Sequence, residues 1–395
     1  MLPLVAAALI ATSCGSDDSS GSGDAQATTT EAPSTEAPST EAPAPAEPIA
    51  FTIGELTILE GPLSDGVITH RNALQMAVDD LNAQGLVDIT VVTGNVGSTP
   101  DEALGGYASI AGEDLLAVVG APLSPQTNAI AGELADAGII QLAPNAIPVK
   151  DFSPLAFNVF PPYLAYQLPP ALDSFYELHG DELESAFYVS SGDYPVGIAV
   201  NETRRDFLEA QGVETVGEES VLQTDTDFLT LATKIAAENP SVVLEDTLSS
   251  IALIRQLRDA GYDGLIFGGA YVANANFLVP SQGAFEGAYG WAAWLPAPTD
   301  NLTELGRDFV KRYEARFGSS PDAFGAGIYD GVLLLAAAVV QVGAADDPAA
   351  IADAMSTITL PEGVTSSPLA FDENRTLPMD PLLMRIEGTT QVAVG

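Results

Sequence analysis

The sequence has few basic residues for its length. It contains 13 lysines and arginines against 54 aspartates and glutamates in 395 residues, which gives a formal net charge of −41 at pH 7. Such a charge surrounds the folded chain with a negative field that repels phosphate backbones and anionic lipid surfaces. We therefore expect no nucleic-acid partner. The hydrophobic fraction, 47%, is still ample for a buried core.

Residues that usually carry catalysis or bind metals are also scarce. Cys14 is the only cysteine, so no intramolecular disulfide can form, and the only histidines, His70 and His179, lie far apart in sequence. The chain has no Gly-x-Ser-x-Gly nucleophile motif, no phosphate-binding P-loop and no paired-cysteine metal spacing. We expect no catalytic residue, no metal site and no cofactor. His70 adjoins the loop after the first predicted strand and could touch a ligand there, but its place beside Arg71 at a helix start favours the surface.

The apolar run at the N-terminus is short. Residues 1–13 are too few to span a bilayer and match the hydrophobic region of a secretory signal peptide. The run ends in ATSC, and a small-residue site directly before a lone cysteine resembles the lipobox of bacterial lipoproteins. This predicts a lipoprotein signal peptide over residues 1–14 and lipidation of Cys14. Two features depart from that pattern: Ala11 stands where leucine is usual, and no lysine or arginine precedes the run, which a start further upstream would explain.

Residues 15–48 lack core-forming side chains. The segment consists of small, polar, acidic and proline residues and includes the tandem repeat TEAPS-TEAPS-TEAPA from Thr30. Such a composition buries too little apolar surface to offset chain entropy, so we predict a disordered, extended tether. With a lipid at Cys14, the tether would hold a folded domain near the outer face of the cell membrane.

Residues 114–150 read as one βαβ unit. Its predicted parts are a buried strand over residues 116–120, a loop over 121–125, a helix over 126–136 and a second buried strand over 139–142. Such a unit places the loop at the carboxyl edge of a parallel sheet, beside a helix N-terminus. Ligands of open α/β sheets bind at that edge.

Two hydroxyl side chains, Ser124 and Thr127, lie at the start of the predicted helix. Backbone N–H groups there lack intrahelical partners, and the positive end of the helix dipole faces outward, which suits a carboxylate or another oxygen-rich group. The alternative is that Ser124 serves only as the N-cap, because serine is a favoured residue at that position. On this loop alone, capping is the more common role.

The rest of the folded part repeats this alternation. Residues 51–59, 89–93 and 157–160 read as further strands around an amphipathic helix that carries Leu74 and Leu81, and a second alternating series follows. Alternating strands and helices with short connections predict doubly wound parallel sheets. Because the chain is too long for one ordinary core, we predict an α/β fold of two such lobes.

Long helices return near the end of the chain. One of them, over residues 329–342, is apolar enough to be buried but too short to span a membrane. Asp330 near its start is predicted to be solvated or to cap the helix. A helical segment that follows two α/β lobes implies that the chain crosses between the lobes more than once, and several crossings make a hinge.

Seven strings occur in an order that is known from one protein family. They are DDLNAQG, AVVGAPLSPQTNAIA, AGIIQLAPNA, FYVSSGDYPVGIAV, DTDFLTLATKIAAENPSVV, LIRQLRDAGYDGLIFGG and YDGVLLLAAAV. In this order, over residues 49–390, the chain resembles the type I periplasmic binding proteins, in particular the Leu/Ile/Val-binding family of ABC-transporter receptors. The resemblance implies two lobes joined by a three-segment hinge that close on a small solute and deliver it to a membrane permease. It places residues 49–163 and 296–368 in lobe 1, and 164–295 and 369–395 in lobe 2.

The resemblance also assigns ligand-binding residues. Ser124 falls where the family uses a serine to hold the ligand's carboxylate, with Thr127 nearby. Tyr194 falls where an aromatic side chain from the second lobe packs over the ligand, although an ordinary loop tyrosine is the alternative. Asn145 in the string APNA and Tyr271 after the string IFGG complete the predicted set.

Two departures from the family pattern bear on the ligand. Ile147 stands where the family's amino-acid binders use a threonine, and Ala270 stands where they place an acid for the ligand's ammonium group. A buried ammonium without a counter-charge is costly, so either the ligand is not an α-amino acid or another acid substitutes. Glu245 and Asp246 are the candidates, because they directly follow a predicted strand over residues 242–244, at a carboxyl edge facing the cleft. The alternative for these two acids is a solvated loop end.

The favoured function is therefore a lipid-anchored extracytoplasmic receptor of an ABC importer. It would capture a small polar solute, such as an amino acid or an amide, between two closing lobes. The alternatives are a ligand-sensing module of the same fold coupled to a membrane signalling protein, and an enzyme that uses the acids at positions 245 and 246.

Overall fold

A computed structural model describes residues 47–61, 63–269, 272 and 274–394 of the chain. The predicted signal peptide, the lipidation site at Cys14, nearly all of the predicted tether and the predicted ligand contact Tyr271 lie outside the described residues.

The first sheet, as far as the structure describes it, has five parallel strands in the order β2-β1-β3-β4-β5. They are β1 (Ile49–Thr57), β2 (Val87–Asn95), β3 (Leu115–Val119), β4 (Ile140–Ala143) and β5 (Ala156–Asn158). Every residue of β3, β4 and β5 is buried, as expected for parallel strands covered on both faces. The βαβ unit predicted around β3 and β4 is confirmed.

Helices pack on both sheets. They are α1 (Ile68–Asn82), α2 (Pro100–Ile110), α3 (Ser124–Ala137), α4 (Leu168–His179), α5 (Pro195–Ala210), α6 (Leu229–Glu238), α7 (Ser250–Asp259), α8 (Leu278–Ser281), α9 (Glu304–Phe317), α10 (Ala323–Val342) and α11 (Pro348–Met355). The sequence prediction missed α2, although its start carries a capping box. The N–H of Glu102 donates to the Thr99 hydroxyl at 3.3 Å, and the Glu102 carboxylate accepts from the Thr99 N–H at 3.0 Å.

The second sheet is mixed within the described part of the chain, with the order β12-β11-β10-β9-β8-β6-β7. Its strands are β6 (Ser185–Ser191), β7 (Glu214–Val221), β8 (Val242–Asp246), β9 (Leu265–Phe267), β10 (Tyr289–Ala292), β11 (Leu382–Glu387) and β12 (Thr390–Ala393). The predicted α/β class is confirmed. The sheet departs from a wholly parallel one at one edge, where β10, β11 and β12 pair antiparallel. Gly388, with φ of +63°, supplies the left-handed residue of the tight turn between the last two strands.

The C-terminal part of the chain contacts both lobes. The N–H of Leu377 donates to the carbonyl of Asn158 at 2.9 Å, and the N–H of Asn158 donates to the carbonyl of Arg375 at 2.8 Å. These bonds join residues 375–377 to the end of β5 in the first lobe, whereas β11 belongs to the second sheet. The predicted boundary after residue 368 therefore falls before the last contacts with the first lobe.

Helix α10 is the core helix of the first lobe. It is longer than predicted, and its most apolar 18-residue window would be long enough to cross a membrane, but 89% of that window is buried inside the protein. Asp330 on this helix is fully buried rather than solvated, and its carboxylate accepts hydrogen bonds from the N–H groups of Val364 and Thr365 at 2.7 and 2.8 Å. Burial raises the pKa of Asp330 to about 6. The Asp330 carboxylate thus connects the loop at residues 364–365 to α10 by hydrogen bonds.

Candidate functional site

A cavity of about 440 Å³ lies between the two lobes. From the first lobe, the wall contains residues in the segments 66–70, 98–100, 122–125 and 145–146 and Phe324. From the second lobe, it contains Asp193, Tyr194, Pro195, Gln223 and Leu248. Tyr163, on the segment that crosses between the lobes, also lines the cavity. Each of these first-lobe segments follows the carboxyl end of one of the strands β1 to β4. The second-lobe residues follow β6, β7 and β8 in the same way. The binding edges of two parallel sheets therefore face each other across the cavity.

Ser124 lines the cavity but does not cap its helix. The N-cap of α3 is Leu123, in extended conformation, and the side chain of Gln126 accepts a hydrogen bond from the Leu123 N–H at 3.3 Å. The Ser124 side chain is 7% exposed and makes no hydrogen bond to any residue that the structure describes. The N-cap interpretation of Ser124 is wrong, because a glutamine two positions later occupies the capping role. The serine hydroxyl is left facing the cavity.

Thr127 and Asn145 form one hydrogen-bonded pair behind this loop. Thr127 is fully buried and does not line the cavity; its hydroxyl donates to the carbonyl of Ala121 at 3.0 Å. The Asn145 amide donates to the Thr127 hydroxyl, and the Asn145 side chain does reach the cavity wall. Thr127 therefore positions Asn145 and the loop after β3. Of this pair, only Asn145 is placed to contact a ligand directly.

Tyr194 reaches the cavity from the second lobe, where it precedes α5. The loop that carries it is tied to the loop after β7. The Gln223 N–H donates to the carboxylate of Asp193 at 3.0 Å, and the Gln223 side-chain amide donates to the Asp193 carbonyl at 2.9 Å. These two loops are therefore fixed to each other on the second-lobe side of the cavity.

Glu245 and Asp246 do not face the cavity. They are the last two residues of β8 rather than loop residues, they are 0% and 4% exposed, and neither belongs to the cavity wall. The Glu245 carboxylate accepts hydrogen bonds from the hydroxyls of Thr247 and Ser250 at 3.0 and 2.9 Å. Burial raises the pKa of Glu245 to about 7 and that of Asp246 to about 6, and in Glu245 the neighbouring Asp246 adds to the effect. The prediction that these acids lie in a solvated loop or face the cleft is wrong. The strand continues two residues beyond its apolar run, so both side chains are buried within the second lobe.

A buried arginine lies next to these acids. The guanidinium carbon of Arg204 lies over the rings of Phe267 and Trp291, 4.7 and 4.8 Å from their centroids. It donates to the carbonyls of Glu245 and Gly268 at 3.2 and 2.8 Å. Burial lowers the pKa of Arg204, and the two acids oppose that shift. The acids and the arginine therefore form a buried electrostatic cluster inside the second lobe, behind the cavity.

His70 and Phe324 line the cavity, although neither was among the predicted ligand-binding residues; for His70, contact with a ligand was the less favoured alternative. The His70 ring is 8% exposed, so the expected surface position is wrong, and burial lowers the pKa of His70 to about 3. Phe324 lies beside it and stacks on Phe160 at 3.9 Å between ring centroids. The sequence did carry a signal for His70. It shares the helical spacing of Leu74, Ala77 and Leu81, which are all buried on one face of α1.

The described cavity wall is almost uncharged. Asp193, at an exposed position, is its one residue with a formal charge at pH 7, since His70 is neutral and neither lysine nor arginine is present. Within the described residues, no group of three or more histidine, cysteine, aspartate or glutamate side chains could hold a metal ion. The wall thus offers hydroxyl, amide and imidazole groups between apolar side chains, which is the usual make-up of a small-molecule site.

Comparisons with known proteins give the same family throughout. The sequence profile of a family described as "Periplasmic binding protein" matches residues 50–391. The chain is 23% identical to the Leu/Ile/Val-binding protein BraC3 of Rhizobium johnstonii over 77% of this chain and 83% of the relative. It is 22% identical to the Leu/Ile/Val-binding protein homolog 3 of Brucella melitensis, over 77% of this chain and 82% of the relative.

Solved structures share the fold. The substrate-binding protein LivJ of Streptococcus pneumoniae, in complex with isoleucine, superposes with a TM-score of 0.77 at 21% identity, covering 87% of this chain and 99% of that one. A solute-binding protein from R. palustris in complex with benzoate gives a TM-score of 0.76 at 18% identity and covers 88% of this chain and 96% of its own. These matches confirm the resemblance seen in the seven sequence strings.

Proposed function

Because this chain belongs to the periplasmic binding protein family, we propose that it captures a small polar solute, such as an amino acid or an amide, between two closing lobes. Members of this family bind solutes and are not enzymes, so no reaction is assigned to the cavity. We also propose that the protein is held at the membrane by a lipid anchor and delivers this solute to an ABC importer.

One observation carries it. The carboxyl edges of both sheets meet at one cavity of about 440 Å³, and Ser124, a buried residue on its wall, has a hydroxyl without a hydrogen-bond partner among the described residues. A hydroxyl that no protein group engages is free to bond a ligand, and that hydrogen bond adds to affinity when the ligand displaces water from the cavity. A solute enclosed by two lobes loses most of its contact with water, which strengthens each polar contact.

The ligands of structural relatives support a carboxylate. Isoleucine and benzoate, which are bound by the two solute-binding proteins compared above, share a carboxylate and an apolar body. In this chain, Ser124 stands at the N-terminus of the 14-residue helix α3, where the helix dipole favours a negative group. We propose that Ser124 holds the carboxylate and that Asn145 and Tyr194 contact the solute from opposite sides.

We further propose that Cys14 is lipidated and that residues 15–48 tether the domain to the outer face of the cell membrane, beside an ABC permease. A long polar tether would let the closed, loaded domain reach the permease without leaving the membrane surface. Globomycin, which blocks cleavage of lipoprotein signal peptides, should cause a longer precursor to accumulate. A Cys14→Ser variant should leave the membrane fraction, and a variant that stays there would contradict the anchor.

The binding proposal is tested by thermal-shift screening of the purified chain against amino acids, amides and small carboxylates, followed by isothermal titration calorimetry of each stabilising compound. We expect one compound class to raise the melting temperature, and small-angle X-ray scattering should show a smaller radius of gyration when it is bound, because the lobes close. A panel that leaves the melting temperature unchanged throughout would contradict solute capture.

A further inference from the structure

The described wall of the cavity between the lobes carries the N-terminus of α3 and a neutral imidazole, and no acid among its described residues is buried. From this we infer that the solute is a monocarboxylate with an apolar body and no ammonium group, and that His70 makes a hydrogen bond to it. The inference rests on the proposed function, because it names the chemical class that the same cavity takes.

No acid on the described wall is placed to pair with a buried ammonium group. Asp193 is exposed, and its carboxylate already accepts a hydrogen bond from the Gln223 N–H at 3.0 Å. The two buried acids at the end of β8 lie outside the described wall. The Glu245 carboxylate accepts hydrogen bonds from the hydroxyls of Thr247 and Ser250. The Asp246 carboxylate packs against Gly197 and Gly269 and has Arg204 as its charged neighbour. In the sequence, Ala270, Tyr271 and Ala273 follow β9, and none of them carries a carboxylate.

A buried ammonium on such a wall would lose its hydration without gaining a counter-charge. That loss is one of the largest penalties in binding and exceeds what neutral hydrogen bonds return. A matched ligand in which hydrogen replaces the ammonium avoids the penalty entirely. The wall therefore discriminates between an α-amino acid and the carboxylic acid of the same shape.

The anionic end of the ligand has a defined place. Ser124 is the first residue of α3, so its hydroxyl and its backbone N–H lie at the positive end of the helix dipole. Ser124 as a residue is more than nine-tenths buried and belongs to the cavity wall, and its hydroxyl makes no hydrogen bond to a described residue. Neutral donors at a helix N-terminus suffice for one carboxylate. The described wall has no lysine or arginine, and a single carboxylate does not require one.

His70 provides a second polar contact. His70 is more than nine-tenths buried, lies on the cavity wall and makes no side-chain hydrogen bond among the described residues, and the neighbouring Phe324 ring offers only an apolar face. A neutral imidazole can donate from one nitrogen and accept at the other. It can therefore bind a carboxylate, a hydroxyl or a carbonyl without bringing a charge into the apolar part of the cavity.

Calorimetric titration of matched pairs tests the solute class. The pairs are leucine with 4-methylpentanoate and phenylalanine with 3-phenylpropanoate, and in each pair the shape and the carboxylate are kept while the ammonium is removed. We expect the acid without ammonium to bind at least about tenfold more tightly in one of the pairs. Tighter binding of the amino acid, or binding of neither member of either pair, overturns the inference. The proposed function fails separately, only if the wider panel of amides and polar solutes also leaves the melting temperature unchanged.

Variants at His70 test the contact. His70→Phe keeps a planar ring against Phe324 but removes both nitrogens, and we expect it to weaken binding of the preferred carboxylate by about tenfold, the effect of one hydrogen bond. His70→Gln retains a donor and an acceptor and should recover most of that loss, which a merely structural role would not explain. Wild-type affinity in His70→Phe, with an unchanged circular dichroism spectrum, overturns the role of His70. If His70→Phe does not fold, His70→Asn and His70→Leu give the same comparison with smaller side chains.

Discussion

The rings of His70 and Phe324 lie side by side at the cavity, with centroids 5.3 Å apart and planes inclined at 36°. They come from opposite ends of the first lobe's sequence, His70 from α1 and Phe324 from the first turn of α10. Phe324 stacks in turn on Phe160, on the segment where the chain leaves the first lobe. One wall of the cavity is thus built from residues that pack against the segment where the chain leaves the first lobe, and a solute in the cavity is expected to contact it.

Replacing Phe324 with alanine should weaken solute binding by about tenfold or more and lower the free energy of unfolding by about 2 kcal/mol. Both effects follow from lost contacts with the solute, His70 and Phe160, and the stability cost lies below that of a fully buried phenylalanine because Phe324 is partly exposed. Calorimetry and chemical denaturation measure the two effects. Phe317→Ala on α9 is the control, because Phe317 packs on Tyr313 and neither residue belongs to the cavity wall. It should lower stability and leave the affinity unchanged, and equal loss of affinity in both variants would contradict the role of Phe324.

Replacing Ser124 with alanine should weaken binding of a carboxylate solute by about tenfold and change the stability of the empty protein by less than about 0.5 kcal/mol. The physical reason is that Ser124 faces the cavity and does not cap α3. The matched control is Thr303→Ala, because the Thr303 side chain does cap α9 and accepts from the Gly306 N–H at 2.8 Å. That variant should lose about 1 kcal/mol of stability and keep its affinity. A stability loss of that size in Ser124→Ala would restore the capping interpretation.

The repeating architecture could be predicted from the sequence, because each βαβ unit has a local pattern of apolar strand, turn and amphipathic helix. The sequence located Ser124 and Tyr194 at strand-end loops, and the structure brings both to one cavity. It did not predict the antiparallel β11 and β12, since a hairpin that adds to an existing sheet depends on contacts with a distant strand, β10. An apolar pattern also ends before a strand does when its last residues are acids, as at Glu245 and Asp246.

The site residues that sequence patterns missed are those whose role depends on distant parts of the chain. His70 and Phe324 are 254 positions apart in the numbering, and only the packing of α1 against α10 brings them together. Helix α10 also packs closely against the segment after β5, because a Cβ atom at Gly327 would overlap the carbonyl oxygen of Val159. No local pattern reveals such an approach.

Substituting Gly327 with alanine should therefore lower the free energy of unfolding by about 1–3 kcal/mol, because the added methyl group meets backbone that has to shift. Gly105→Ala on α2 is the matched control, since nothing lies within 4 Å of its added Cβ and alanine favours a helix. That variant should be unchanged or more stable by up to about 1 kcal/mol. Urea denaturation measures both. A Gly327→Ala variant as stable as the wild type would contradict the close approach of α10 to the segment after β5.

The buried acid Glu245 should make stability depend on pH. Its pKa in the folded protein is raised from 4.5 to about 7, first by burial and then by the neighbouring Asp246, whereas in the unfolded chain it returns to its ordinary value. The folded protein thus retains a proton that the unfolded chain releases. The stabilising contribution of that proton is complete below about pH 4.5 and is lost as the pH rises through about 7, by on the order of 3 kcal/mol for a shift of this size.

Urea denaturation of the wild type and Glu245→Gln between pH 4.5 and 8 measures this contribution. Both proteins lose stability with rising pH because their many carboxylates repel each other. Only the wild type also loses the stabilising contribution of the proton on the buried Glu245. We expect the variant to gain stability relative to the wild type as the pH rises toward 8. Glu102→Gln is a control of opposite sign, because hydrogen bonds from Ser98 and Thr99 lower the pKa of Glu102, so the stability that its ionised form contributes is lost as the pH falls. A pH-independent difference between Glu245→Gln and the wild type would mean that Glu245 ionises in the folded protein as it does in the unfolded chain, and that water or a moving side chain reaches the end of β8.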